Sequence, residues 1–368
     1  MNAAMNNVNN RNVGLDILRV ILAFLVVGIH IIAPATGAVG GSVEWSVTKF
    51  FVSGLTAICY PAVNTYVILS GFLAFAHKKS IYGVVKSLTK LWLCLMFFSI
   101  LGLIVGSFYY NHQPSLSTII SRLFPLCSGE WWYMTNYFVL MLMSPMLNKL
   151  IDQYSEKSIF YTLCGTLMIC TIVPFFLKYN DFIGLNIGYG LIWFVVLYCT
   201  GAFLYKIKDM IKRISSSKYI LSLFIMVFIY VALNSVLNKF EITKGFGFSA
   251  YNSVLVYLES ILLFCGFYTL RVSKFDKYAN VISWLGGISF ASYIFHCQAD
   301  FGPILWEITQ PSKFANSLLL IPIVLFIILG VFIVSVLLEQ LRRQINKVFS
   351  VERRLSCFVD RIFPKELL

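Results

Sequence analysis

Apolar residues run almost unbroken for about twenty positions at a time along this chain, and polar residues collect in the short breaks between runs. The runs fall at 15–34, 50–76, 91–110, 131–150, 158–177, 187–205, 219–238, 250–270, 281–299 and 316–338. Each is close to the roughly 20 residues that cover about 30 Å of hydrocarbon at 1.5 Å per helical residue. The pattern predicts an all-α integral membrane protein, a polytopic bundle of about ten transmembrane helices. It divides the chain into a short cytoplasmic segment (1–14), a ten-helix domain (15–338) and a basic cytoplasmic tail (339–368). The fifth and sixth spans are the least sharply bounded, because the connection between them is short. The first run reads as a retained helix and not a cleaved signal. Met1 to Asn10 is Asn-rich and uncharged, and the run holds Asp16, Arg19 and His30 with no convincing small-residue cleavage site after it.

Composition agrees with the pattern. Hydrophobic residues make up 59% of the chain and charged residues 12%, where a soluble domain has roughly 25% charged. A formal net charge of +13 could suggest a nucleic-acid partner, but its placement explains it without one. With the N-terminus inside, 22 of the 29 Lys and Arg residues fall in segments on the inner side, and 6 fall outside: Lys49, Arg122, Lys178, Lys239, Lys244 and Lys313. Arg19 lies within a span. This asymmetry places both termini in the cytoplasm and the protein in the cell (inner or plasma) membrane, with segments 35–49, 111–130 and 302–315 outside. Trp45, Trp92, Trp131, Trp132, Trp284 and Trp306 sit near span ends, where interfacial anchors belong. Of nine cysteines, seven (Cys297 among them) lie in apolar runs and none forms a CxxC pair, so they read as small buried side chains, with no metal site and no disulfide framework.

Ionisable groups inside a span cost about 2.5–3.5 kcal/mol each on insertion scales, so each needs a reason. The first span has three: Asp16, Arg19 and His30. His30 is eleven steps along the helix from Arg19, which is about 20° from three full turns, so both share one helix face about 16 Å apart along the axis. Asp16 is one turn from Arg19 and can pair with it. A snorkelling pair or a hydrogen-bonded core histidine would each account for one of these groups alone. Ser70 and Gly71 reach the inner half of the second span, level with Arg19, and serve equally as small residues for helix packing. Gly129-Glu130-Trp131-Trp132-Tyr133 opens the fourth span at the outer face, as a site or as an aromatic belt with one solvated acid. Ser289 to Tyr293 and His296 end the ninth span, with His296 at the outer level of His30. Glu259 is isolated mid-span, and His77 and His112 read as ordinary loop residues. Two ends emerge. Asp16, Arg19 and Ser70 gather on the inner side; His30, Glu130 and His296 gather on the outer side.

At this point the chain resembles a known family. Asp16-Ile17-Leu18-Arg19 followed by His30 is similar to the Arg-x10-His signature of the membrane acyltransferase-3 family. Val67 to Leu73 resembles its Ser-Gly-Phe motif, Trp131 to Leu147 its aromatic-opened, Ser-Pro-closed fourth helix, and Ile288 to His296 its late Ser-Tyr-His element. Two places depart from the pattern. Ala62 to Tyr66 stands where relatives often carry Gly-Val and a Phe pair. Gly129-Glu130 approaches the tryptophans where relatives acting on enterobacterial common antigen often have His. The resemblance implies transfer of an acyl group, usually acetyl from cytoplasmic acetyl-CoA as co-substrate, with no bound cofactor, to a hydroxyl of a cell-surface polysaccharide or lipid-linked glycan. It implies His30 as the catalytic base or acyl relay, and Arg19, with Asp16 and Ser70, on the donor. Glu130, Trp132, Tyr293 and His296 are then expected on the acceptor side or in support. The competing class is a multi-pass transporter or lipid-glycan flippase with an Asp16–Arg19–His30 relay.

Overall fold

The computed structural model describes residues 12–36, 47–177, 182–239, 250–271 and 277–362. The described residues form helices and no strands. In chain order the α-helices of five or more residues are α1 (Val13–Thr36), α2 (Val47–Cys59), α3 (Pro61–Ala76), α4 (Ile81–Tyr109), α5 (Leu116–Leu123), α6 (Trp132–Gln153), α7 (Glu156–Leu167) and α8 (Val173–Leu177). They continue as α9 (Leu191–Lys206), α10 (Ser216–Lys239), α11 (Val254–Tyr268), α12 (Ala279–Ile288), α13 (Ala291–His296), α14 (Phe301–Thr309), α15 (Leu320–Phe349) and α16 (Val351–Ile362). Among the described residues, six helices or helix pairs are long and apolar enough to cross a membrane: α1, α2 with α3, α4, α7 with α8, α10 and α15. Helices α9 and α11 are apolar but shorter.

Local chemistry sets the boundaries. Ser80, Ser115, Ser155 and Ser253 cap α4, α5, α7 and α11, each hydroxyl accepting from the backbone N–H three residues on. Pro61 opens α3, where its missing N–H costs nothing, and so splits the expected second span in two. The expected ninth span is also split. Ser289 turns its hydroxyl to the carbonyls of Gly286 (3.1 Å) and Arg19 (3.3 Å), and the ladder breaks there between α12 and α13. The sixth expected span begins late, at Leu191, because Ile183 and Ile187 take left-handed backbone angles in the connection. The fifth passes through a π turn at Met168–Ile172. Helix α4 starts ten residues before its apolar run, and α15 continues far past residue 338, so the basic tail is helical through Ile362. The segments expected outside, 111–130 and 302–315, contain α5 and most of α14. Part of 35–49, with Trp45, lies outside the described residues.

The helices at the centre of the bundle are α3 and α9, which approach backbone to backbone. A Cβ on Gly71 would sit 2.3 Å from the Tyr198 carbonyl oxygen, and one on Gly201 2.1 Å from that of Ile68. Glycine at both positions therefore serves close packing. Asn64 adds a buried polar tie: its Nδ2 donates to the Tyr251 carbonyl (2.7 Å), and its Oδ1 accepts from Trp193 Nε1 (3.1 Å). Loop and terminal contacts sort into two ends. At one, Lys78 pairs with Asp152, Lys206 donates to the Tyr154 carbonyl (2.8 Å) and Lys86 pairs with Asp360 (2.7 Å). At the other, Arg122 pairs with Asp300 (3.0 Å) and Tyr110 donates to Glu307 (3.0 Å). These pairs join only segments that the charge pattern assigns to the same side.

Candidate functional site

Helix α1 carries the first half of the site on its second turn. Asp16 is fully buried; it pairs with Arg19 and accepts from Ser283 of α12 (2.8 Å). Helix α12 comes close enough for this because Gly286 has no side chain: a Cβ there would stand 2.8 Å from the Asp16 carbonyl. The Arg19 carbonyl accepts from Tyr66 (2.9 Å) and Ser289 (3.3 Å). The guanidinium is thus held by a buried carboxylate on one side while about a quarter of the side chain stays open.

What it opens onto is a cavity of about 430 Å³, within the size range of small-molecule pockets. Arg19, Ser70, Tyr66, Tyr133, Tyr137, Ser144 and Ser289 supply its polar lining. Its mouth is at His77 and Lys79, and its inner wall is Tyr133 and Phe290. A basic mouth and a guanidinium suit an anionic ligand, since Arg offers planar paired donors for phosphate or carboxylate. Arg19 and Ser70 both line it. Asp16 does not line the cavity and acts through Arg19.

The second half of the site lies farther along α1. His30 Nδ1 is 2.8 Å from His296 Nε2, with the ring centroids 5.0 Å apart. His296 Nδ1 is 2.5 Å from the Ser292 carbonyl oxygen, which can only accept. For a neutral pair the hydrogen-bond accounting has one solution. His296 carries its hydrogen on Nδ1, its Nε2 accepts, and His30 donates from Nδ1. The lone pair of His30 Nε2 is left free for chemistry. Cys297 closes a triangle, with Sγ 3.3 Å from both His30 Nδ1 and His296 Nε2.

The cavity lining does not include His30. Between them stands an aromatic wall. Tyr133 contacts Phe290 (6.2 Å between centroids) and Tyr293 (5.7 Å), and Tyr293 contacts His296 (6.2 Å). Tyr293 is thus placed between the two halves of the site.

Other expectations need correction. Glu130 is not a solvated acid beside His30. Its buried side chain pairs with Arg122 (3.3 Å) and accepts from the Ala299 N–H (2.9 Å), in a cluster with Asp300 and Gln298 that fastens the segment after α13. Burial raises the Glu130 carboxyl above its usual range, against the pull of the Ala299 N–H and Arg122. Trp131 is no interfacial anchor. It is fully buried, and its Nε1 donates to the Ile294 carbonyl (3.2 Å), which fixes α13. Trp132 packs with Tyr189, Phe194 and Tyr251. Glu259 is buried with both carboxyl oxygens unbonded among the described residues. His77 is no ordinary loop residue, since it lines the cavity. A signal for it existed, because seven residues from Ser70 is about 20° short of two turns. Cys297 was hidden by its apolar surroundings.

Set against known proteins, the chain matches a family model described as an acyltransferase domain over residues 12–340. No curated protein and no solved structure matches it.

Proposed function

The chain belongs to the acyltransferase-3 family and is a membrane acyltransferase; from that premise we propose that it moves an acyl group, acetyl in the first instance, from acyl-CoA in the cytoplasm to a hydroxyl of a cell-surface or lipid-linked glycan. In this reading ten spans cross the cell membrane, both termini are cytoplasmic, and the end bearing His77 and Lys79 faces the cytoplasm by the positive-inside rule.

The observation that carries the reading is the hydrogen-bond chain from the Ser292 carbonyl through His296 to His30. It leaves His30 Nε2 unprotonated, on the same helix that presents Arg19 to the cavity. Arg19, Lys79 and His77 hold the anionic part of the donor. The acceptor hydroxyl oxygen attacks the thioester carbonyl as His30 Nε2 takes its proton, the carbon–sulfur bond breaks, and the proton passes to the leaving thiolate. Asp16 keeps Arg19 in place and His296 keeps the His30 tautomer. Tyr293 and the other wall residues keep water from the thioester until donor and acceptor are both bound.

The test is transfer of labelled acetyl from acetyl-CoA to glycan in membranes from cells lacking the native enzyme, with variant levels checked in parallel. His30→Ala is expected to lose at least about 10²-fold in rate, the lower end of general acid–base contributions. Wild-type transfer by His30→Ala at normal membrane levels would overturn the proposal and favour the transporter reading.

A further inference from the structure

The triangle of His30, His296 and Cys297 offers more donors than hydrogen bonding can satisfy. His296 Nε2, His30 Nδ1 and Cys297 Sγ lie 2.8, 3.3 and 3.3 Å apart. One hydrogen, on His30 Nδ1, serves the short edge. The thiol has an imidazole nitrogen at each of its two 3.3 Å contacts, but one of these carries that hydrogen and the other already accepts it. His296 has its one ring N–H, on Nδ1, committed to the Ser292 carbonyl (2.5 Å). A backbone carbonyl on the far ring nitrogen is the usual outer partner of a metal-bound histidine, fixing tautomer and ring orientation. Among the described residues, these three are the only group of His, Cys, Asp and Glu side chains that converges this way.

We propose that His30 Nδ1, His296 Nε2 and Cys297 Sγ form a binding site for a thiophilic divalent cation of the Zn²⁺ class, and that occupancy switches the enzyme off. The donor set, two imidazoles and a thiolate, is one that zinc takes in tetrahedral geometry with a fourth position open. Zn–N bonds of about 2.0–2.1 Å and a Zn–S bond of about 2.3 Å require N···N near 3.3 Å and N···S near 3.6 Å. The triangle needs to open by only roughly 0.5 Å on one edge and 0.3 Å on the others. His30 and Cys297 are partly accessible, so the site is not sealed.

The proton balance accounts for the inhibition. On binding, Cys297 loses its thiol proton to solvent, and His296 keeps its tautomer. His30 moves its ring hydrogen from Nδ1 to Nε2, since Nδ1 becomes a ligand. One proton leaves per cation bound. The Nε2 lone pair, the reacting atom of the proposed transfer, is thereby occupied. The inhibitory half of this inference rests on that proposed function; the binding half does not.

Two readouts separate them. Full-length protein, stripped with chelator in detergent, is titrated with Cd²⁺ as a spectroscopic substitute for zinc. The expected result is a thiolate-to-cadmium charge-transfer band saturating at one ion per chain. The band is expected to be absent in Cys297→Ala and in Cys297→Ser, both of which keep the two imidazoles and are checked for monodispersity. Acetyl transfer measured with added Zn²⁺ is expected to fall reversibly, with chelator restoring it. Even outer-shell changes cost about 10–100-fold in metal affinity, so loss of the thiolate should raise the inhibitory Zn²⁺ concentration by at least about 10-fold. No band in the wild type, or a band unchanged in both Cys297 variants, overturns the site. Cys297-dependent binding with inhibition unchanged in the variants overturns the switch alone. A chain with no transferase activity that still shows the Cys297-dependent band would fail the proposed function and keep the site.

Discussion

Replacing His296 with alanine removes the acceptor that holds the hydrogen on His30 Nδ1. The contact is 2.8 Å long and the pair is shielded by Tyr293. A buried N–H deprived of its partner costs about 1–3 kcal/mol. At about 1.4 kcal/mol per tenfold, orientation and tautomer control are worth about 5- to 150-fold in rate. The loss should fall below that of His30→Ala, where the reacting nitrogen itself is gone. His296→Gln is the informative partner, because its side-chain amide oxygen can stand where Nε2 accepts. It should recover most of the loss and leave acetyl-CoA affinity unchanged. The assay is initial-rate acetyl transfer in membranes at several donor concentrations, with equal amounts of each variant. An alanine loss equal to that of His30→Ala with no recovery in glutamine would make His296 itself the proton carrier. No loss in alanine would remove the pair from the chemistry.

Three further outcomes follow from the same geometry. Arg19→Lys keeps the charge but loses the planar fork, so donor affinity should drop by at least about 10-fold with the protein still inserted, read from the rate against acetyl-CoA concentration; an unchanged half-saturating concentration would remove Arg19 from the donor site. Gly71→Ala places a Cβ 2.3 Å from the Tyr198 carbonyl and should destabilise by about 1–3 kcal/mol, while Gly165→Ala, which meets nothing within 4 Å, should be neutral or slightly stabilising; thermal unfolding in detergent compares the two. For topology, an impermeant thiol reagent added outside should label Ser115→Cys and miss Ser216→Cys in backgrounds lacking the exposed native cysteines, and the reverse pattern would invert the orientation.

How much of this was legible in the sequence depends on what each residue answers to. Every expected span contains a helix or a helix pair, because a long apolar run makes its backbone hydrogen bonds internally, but among the described residues six of these are long and apolar enough to cross a membrane. The breaks were less visible. Pro61 announces one by its chemistry, but the split at Ser289 depends on a hydroxyl finding the Arg19 carbonyl on another helix. The shared face of Arg19 and His30 follows from helix periodicity. Their separation by Tyr133, Phe290 and Tyr293 does not, since these residues come from two distant segments. Glu130 was misread for the same reason: its partner Arg122 is near in sequence, yet the Ala299 N–H that completes its burial is 169 residues away. Cys297 was passed over because thiols in apolar runs are ordinary, and only the fold brings His30 to it.

The aromatic wall looks at first like an obstacle to the proposed chemistry, but the membrane makes it a requirement. A channel joining Arg19 to His30 at all times would run about half-way across the hydrocarbon. It would carry water and ions whenever the donor was absent, and it would expose the thioester to hydrolysis whenever the acceptor was. Arg19 and His30 are about 16 Å apart on one helix, so in the proposed reaction the donor is anchored at one end and reaches the other through a flexible arm. Tyr293 touches both Tyr133 at the cavity wall and His296 of the histidine pair. A ring in that position can register the arm on one side and the tautomer-setting histidine on the other. The break between α12 and α13 puts Tyr293 on a helix of only six residues, which Trp131 holds through the Ile294 carbonyl. Closing the path at rest and opening it only around the arm is what the proposed transfer requires.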